Sequence, residues 1–402
     1  MQINHLSLTN YRNFSRLDID LPDGPIILVG ANGQGKTSLL EAIYYLATFT
    51  SFHATHDREL INFLAARESL AVGRIVAEVD KDSEQHRFEI RIIQETNGIN
   101  GTSRVRKEIL LDNMKVKMSE AVGKFMAVLF LPQMVEVIEG SPEERRRFLN
   151  LAMSQVMPGY ARTLADYAQT LTQRNALLKQ LQEFGGDEDQ LQYWDELLVS
   201  KGAELIYGRI HTIQELERVA ARNHRELTRG DAILRLAYQP SYDPLPQAPG
   251  QFSLPIEDPI DRSGLSIDSI RSGFTQRLHE QRSADIARGV TALGPHRDEL
   301  RFLENGIDLG TYGSRGQVRT AMLSLKIAEM RWMEEKTGYS PVLLLDEALA
   351  ELDPVRREDL LQKLTNNGQT LLTTTDLDLF TGEFVAKSKL WKVNAGRVEV
   401  GE

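Results

Sequence analysis

The sharpest chemistry in the sequence lies in eight consecutive residues, Gly30-Ala31-Asn32-Gly33-Gln34-Gly35-Lys36-Thr37, with Ser38 after them. Glycines at this spacing let successive backbone N–H groups turn toward one anion, and a helix opening at the end of the loop adds its dipole. Lysine then brings a mobile cation to the β- and γ-phosphates, and the threonine hydroxyl brings an oxygen to Mg²⁺. This is the GxxxxGK[ST] phosphate loop. It stands where that chemistry requires it, after the apolar run PIILVG at 25–30 and ahead of a helical pattern over 37–46. Residues 30–38 are expected to bind a nucleoside triphosphate.

Its partner lies far downstream, where Pro341-Val342-Leu343-Leu344-Leu345-Asp346-Glu347 is an apolar strand ending in two carboxylates. Asp346 suits the Mg²⁺ shell beside Thr37. Glu347 suits the base that positions an attacking water. A third element, Tyr312-Gly313-Ser314-Arg315-Gly316-Gln317, opens an amphipathic helix running to about Thr337. Serine among glycines at a helix start is an anion-binding N-terminus, although alone it reads as an ordinary cap. Its place just before the acidic strand resembles the ATP-binding-cassette signature, in which one subunit closes on the γ-phosphate held by another. Ser314, Gly316 and Gln317 are the candidates for that contact. Ala350-Glu351-Leu352-Asp353 falls at the dimer-contacting loop of such proteins. Gln133, in Phe130-Leu131-Pro132-Gln133, falls at their lobe-coupling glutamine. Thr373-Thr374-Thr375 stand where transporter-type members place a γ-phosphate-sensing histidine.

The elements that must position these groups are legible from pattern. Residues 2–8 and 16–20 alternate like half-buried strands, and 72–94 look like a hairpin turning at Lys81–Glu84 and closing at Asn97-Gly98. Ser141-Pro142 with Glu143 and Glu144 predicts a helix start. A 3.6-residue apolar period over 160–181, broken by Gly185-Gly186 and resumed over 191–216, predicts two antiparallel helices, an arm of about 25–40 Å at 1.5 Å per residue. Pro240, Pro244, Pro246, Pro249, Pro255 and Pro259 end the arm in an irregular loop, and a further helix covers 266–288. The expected fold is α/β: a P-loop ATPase head of the cassette type built from residues 1–140 and 291–402, with a mainly helical arm inserted over 141–290.

Composition closes off other classes. The chain has 402 residues, enough for two or three lobes, and no cysteine, hence no disulfide, thiolate zinc site or cysteine nucleophile. No HExxH pattern occurs; His53 and His56 are close but make no expected metal site. No apolar run approaches the ~20 residues of a membrane span, and the first residues lack a signal core, so a cytoplasmic protein is expected. A net charge of −10 argues against a constitutive nucleic-acid coat. A local basic groove remains open: Arg104, Arg106, Lys107, Lys115 and Lys117 cluster within fourteen residues, and Arg145-Arg146-Arg147 form a run. Both also suit a solvated strand edge and helix face.

Nearly end to end, the chain resembles the RecF family, bacterial DNA replication and recombinational repair ATPases related to the chromosome-maintenance (SMC) cassette ATPases. The resemblance runs through LTNYRNF at 8–14, GANGQGKTSLLEAIYYL at 30–46, GSPEERRRFLN at 140–150, LTQRNALLK at 171–179, GPHRDEL at 294–300, YGSRGQVRTAMLSLKIAE at 312–329 and LLLDEALAELDP at 345–354. The chain departs from the family where His53 and His56 replace arginines and where Asp346-Glu347 replaces the Asp-Asp of many relatives. The resemblance implies ATP and Mg²⁺ as cofactors and an ATP-dependent homodimer with weak, DNA-stimulated ATPase activity. It further implies binding to gapped, single-stranded or junction DNA, work with RecO and RecR in loading recombinase, and a part in SOS induction. Two other readings stand beside it: a transport-type cassette subunit, disfavoured by the inserted arm and the missing histidine, and a nucleotide-gated scaffold with negligible hydrolysis.

Overall fold

The computed structural model describes residues 1–81, 84–96, 103–245, 260–365 and 368–400. The inner residues of the first hairpin turn, Asn97-Gly98, and Pro246, Pro249, Pro255 and Pro259 lie outside the described residues. The chain forms two compact units, Met1–Met134 with Glu329–Glu402, and Val135–Ala328.

Unit one holds two sheets. The first is antiparallel, with β1 (Gln2–Tyr11), β2 (Phe14–Asp20), β4 (Leu70–Lys81), β5 (Glu84–Thr96), β6 (Ser103–Leu111) and β7 (Met114–Lys115) in the order β2-β1-β4-β5-β6-β7. The second orders β15 (Arg397–Val400), β14 (Lys389–Asn394), β3 (Pro25–Val29), β13 (Thr370–Thr374), β12 (Val342–Asp346) and β8 (Ala127–Phe130) as β15-β14-β3-β13-β12-β8. From β14 to β8 all pairings are parallel. Parallel strands are covered on both faces and read as apolar runs, as AVLF and the first four residues of VLLLD do. The helix Lys36–Thr48 packs on β12, β8 and β13 on one side and on β4 on the other. It is buried on almost every face, from Leu39 through Thr48, as a helix between two sheets must be.

On the antiparallel sheet, Glu89 is 2% exposed yet charged. Arg74 binds it through Nε (2.8 Å) and Nη2 (2.9 Å), Arg91 through Nε (2.6 Å), and Arg87 lies 3.2 Å away. The bond from Arg74 is the main reason its carboxyl falls to about 2. A lowered folded-state pKa contributes stability that is fully present above the unfolded value and lost as pH falls through the folded one. Thermal stability should therefore decline between about pH 4.5 and pH 2 more steeply in the wild type than in Glu89→Gln, measured by calorimetry across that window. Parallel curves would dismiss the role of Glu89.

Unit two is built on helices Pro142–Val156, Tyr160–Phe184, Leu191–Leu227 and Ile267–Arg288. The expected start at Ser141-Pro142 is present, with Ser141 Oγ accepting from Glu144 N. Two expectations need correction. The second arm helix is 37 residues long, about 55 Å at 1.5 Å per residue, because its apolar face continues past Leu216 through Val219, Ala220 and Leu227. The unit also contains a sheet, β11 (Ile307–Asp308), β10 (Glu299–Glu304) and β9 (Leu234–Gln239) in the order β11-β10-β9, whose β9 immediately precedes the expected irregular loop at Pro240. Residues 291–328, grouped with the head on sequence, thereby cluster with the arm helices.

Buried charges pin this unit. Arg174 is fully buried and bonds Asp195 (2.7 Å), Asp285 (2.9 Å) and Thr291 (2.7 Å). In the GPHRD segment, Asp298 accepts from Arg209 (2.8 Å), the Tyr238 hydroxyl and Ser241 N (2.9 Å). Burial lowers the neighbouring His296 to about 4, so it stays neutral and bonds Tyr167 at 2.7 Å. Removing one partner of such a pair strands a buried charge, so GPHRD acts here as a clasp on the arm helix.

Candidate nucleotide site

β3 delivers the loop from the middle of the parallel sheet, at the carboxyl ends of the strands, and Gly30 N donates to Thr374 O at 3.3 Å. Gly35 has φ 115, a conformation that favours glycine, and any side chain there would run into Asn13. Gly30 is equally constrained, since a Cβ would strike the Val393 carbonyl. The β14–β15 turn clamps the loop's crest: Ala395 N donates to Gln34 Oε1 at 2.7 Å and Gly396 N to Gln34 O at 3.0 Å.

Five groups from sequence-distant elements meet at the end of this loop. Thr37 Oγ1 lies 2.9 Å from both carboxylate oxygens of Asp346, which β12 places at its tip. Thr373 Oγ1, from β13, donates to Asp346 Oδ1 at 2.7 Å and accepts from Glu347 N at 3.0 Å. Lys36, 4% exposed, donates to the Gly30 and Ala31 carbonyls at 2.6 and 3.1 Å and lies 3.5 Å from Glu347 Oε1. Glu347 itself has φ 50, left-handed for a side-chain-bearing residue. Strain of that kind, ~1–3 kcal/mol, persists where the surroundings over-determine it and concentrates at functional positions.

The donor set fits Mg²⁺. Thr37 and Asp346 offer hard oxygens side by side, and Mg²⁺ takes few protein ligands, completing its shell with water and substrate phosphates. No group of three or more His, Cys, Asp or Glu suited to a metal occurs among the described residues.

A cavity of about 700 Å³ opens over the loop, lined by Asn32, Gly33, Gly35, Lys36, Thr37, Ser38, Gln133, Asp346 and Glu347 from the expected set. Gln133 thus joins the phosphate-loop residues. His53 lines the cavity, whereas His56 does not. The same wall holds residues to which the sequence assigned no role. Arg12 binds buried Glu41 through Nε and Nη2, both at 2.7 Å, and Ser51 Oγ donates to Glu41 Oε1. Burial opposes the Arg12 charge, but the bond and charge of Glu41 outweigh it and raise its pKa. Asn13 abuts Gly35. For Arg12 and Asn13 the available signal was two polar residues closing an otherwise alternating strand.

Ser314, Gly316 and Gln317 lie in unit two, at the start of helix Arg315–Thr337, and do not line this cavity. Ser314 and Gln317 form a reciprocal cap: Ser314 Oγ accepts from Gln317 N at 3.3 Å and Gln317 Oε1 from Ser314 N at 2.9 Å. Asp353 caps helix Pro354–Thr365, accepting from Val355 N and Arg356 N at 3.2 and 3.1 Å.

The basic cluster divides. Arg104, Lys115 and Lys117 are exposed, while Arg106 pairs with Glu95 and Glu108, and Lys115 with Glu108 at 2.9 Å. Lys107 turns inward instead, donating to Tyr45 Oη and Phe49 O at 2.9 Å each and pairing with Asp57 at 3.1 Å. Strand alternation is the reason: Val105, Lys107 and Ile109 share the inner face of β6. Arg145 is likewise committed, to Glu299 at 2.6 Å.

The RecF/RecN/SMC N-terminal domain family matches residues 2–396. The DNA replication and repair protein RecF of Roseiflexus castenholzii is 37% identical over 99% of both chains, and that of Chloroflexus aggregans 37% identical over 100% of both. Among solved structures, the recombination mediator protein RecF with ATPrS, in the RecFOR pathway, matches with TM-score 0.83 and 30% identity. That match covers 100% of this chain and 98% of the other. The ATP form matches with TM-score 0.82 and 29% identity, covering 100% and 99%. No helix among the described residues is long and apolar enough to cross a membrane.

Proposed function

The chain belongs to the RecF family of DNA replication and repair ATPases, and from that premise we propose that it is an ATP-gated, DNA-binding dimer of the cytoplasm that hydrolyses ATP slowly. The observation that carries this is the meeting of Thr37 and Asp346 at 2.9 Å, which joins the phosphate loop to an acidic strand 309 residues away. The functional division follows the motifs: residues 1–140 and 291–402 serve as head and 141–290 as arm.

In this reading the amides of Gly30 to Thr37, with Ser38, cradle the phosphates, and Lys36 leaves the loop carbonyls to meet the β- and γ-phosphates. Thr37 and Asp346 hold Mg²⁺, which when bound screens phosphate charge and orients the γ-phosphoryl group. Glu347, beside Lys36 and anchored through its backbone by Thr373, orients water and accepts its proton. Gln133 couples the cavity to the rest of the chain. Ser314, Gly316 and Gln317 act on the γ-phosphate of a second copy, whose own signature acts reciprocally. A solved RecF relative belongs to the RecFOR pathway, which supports RecO and RecR as partners, recombinase loading at gapped or junction DNA, and a contribution to SOS induction. Because the chain carries −10 overall, two copies brought together would build the basic groove, with Arg104, Arg106, Lys115 and Lys117 contributing.

Light scattering with and without ATP, Mg²⁺ and a gapped duplex tests the proposal. A monomer without ATP should become a dimer with it and retain the duplex. Lys36→Ala should bind labelled ATP roughly 10- to 100-fold more weakly, the loss of one charge-assisted contact, and stay monomeric. Unchanged ATP affinity in that variant would remove the phosphate-loop assignment.

A further inference from the structure

The start of the signature helix is held by more than its own cap. Gln317 Nε2 donates to Glu304 Oε1 at 2.6 Å, and Glu304 Oε2 accepts from His224 Nε2 at 2.8 Å. His224 Nδ1 lies 3.2 Å from Ser324 Oγ, further along the same helix. His224 is fully buried and Glu304 is 6% exposed, on strand β10. Burying a carboxylate is costly, and a polar group in such a place is retained where its partners are fully arranged around it.

The chemistry of the amide explains what this arrangement accomplishes. A carboxylate accepts only, so Glu304 admits one orientation of the Gln317 amide, with its nitrogen toward Glu304. The oxygen is thereby forced toward Ser314 N, 2.9 Å away. Reversing the amide would set oxygen against carboxylate and N–H against N–H. We propose that Glu304 and His224 are positioning residues for Ser314, fixing the signature through Gln317 and tying it to the arm helix Leu191–Leu227. The inference rests on the reading of Ser314 as the group that completes a second copy's ATP site. It adds to that reading a mechanical link: a displacement of the arm helix at His224 reaches Ser314 through two hydrogen-bonded groups.

Gln317→Glu separates this from a simple helix cap. Glutamate at this position caps Ser314 as well as glutamine does, so a cap-only role forecasts wild-type behaviour. In the relay it sets two carboxylates against each other, and ATP-dependent dimerisation and turnover should fall about tenfold or more, the scale of coupling between contacting groups. Affinity of the monomer's own phosphate loop for labelled ATP should stay unchanged, which checks folding. The exchanged pair Gln317→Glu with Glu304→Gln restores one donor and one acceptor and should recover most of the loss. Because the introduced carboxylate stays at position 317 in that double variant, recovery excludes direct repulsion of phosphate as the cause. As a second route, His224→Phe should also lower turnover, and its loss should not multiply with that of Gln317→Glu. Wild-type turnover in Gln317→Glu, or no recovery in the exchanged pair, overturns the relay. Ser314→Arg run in parallel tells the two failures apart. If it too turns over normally, the signature reading has failed; if it alone is inactive, only the relay has.

Discussion

Glu347→Gln is expected to bind ATP as the wild type does and to hydrolyse it at least ~100-fold more slowly, within the range a positioned base contributes. The substitution is nearly isosteric, and the bond from the residue's backbone N to Thr373 Oγ1 does not involve the side chain. What disappears is the capacity to take a proton from water, together with the charge 3.5 Å from Lys36. Binding and hydrolysis should therefore separate. Single-turnover kinetics would show a slow chemical step with unchanged nucleotide affinity, and light scattering would show a persistent dimer at saturating ATP and Mg²⁺. A monomer under those conditions would argue against a two-subunit site, and an unaltered rate would return Glu347 to the role of a strained turn residue.

Ser314→Arg should produce the complementary defect. Ser314 is exposed at the start of its helix and outside the cavity over its own phosphate loop, so ATP binding by the monomer should be close to normal. In a closed dimer the added side chain would occupy the contact with the second copy's γ-phosphate. The clash is steric: a bulky side chain forced into a closely packed contact costs about 1–3 kcal/mol, which weakens dimerisation by roughly 10- to 100-fold. Turnover and retention of DNA should fall with it. Mixing the variant with Lys36→Ala should rebuild at most one composite site per heterodimer, from the intact phosphate loop of one chain and the intact Ser314 of the other. Wild-type dimerisation and turnover by Ser314→Arg alone would leave only the helix cap seen between Ser314 and Gln317.

Much of the architecture was legible because its signals are local. The phosphate loop announces itself through glycine spacing, the acidic strand through an apolar run with two carboxylates, and the arm through a 3.6-residue period. Helix Lys36–Thr48 and the first arm helix, Tyr160–Phe184, each lie within a few residues of where their patterns end. Lys107 was also within reach, since period-two alternation separates it from Arg104 and Arg106, but grouping by charge concealed that. The short strand β9, six residues just before Pro240, was concealed because its partner among the described residues, β10, begins about sixty residues later.

By itself, then, the sequence determined the phosphate loop, the acidic strand and the long helices between them, because each carries its signal within a few neighbouring residues. Only the tertiary structure decided which groups meet. It set β3 between β13 and β14, brought Thr373 beneath Asp346 and Glu347, closed Arg12 on Glu41, and linked His224 to Ser314 through Glu304 and Gln317. Periodicity states which face of an element is buried and nothing about what it is buried against. A hydrogen bond holds only within about 3 Å, and residues some 300 positions apart come that close only after the sheets have assembled.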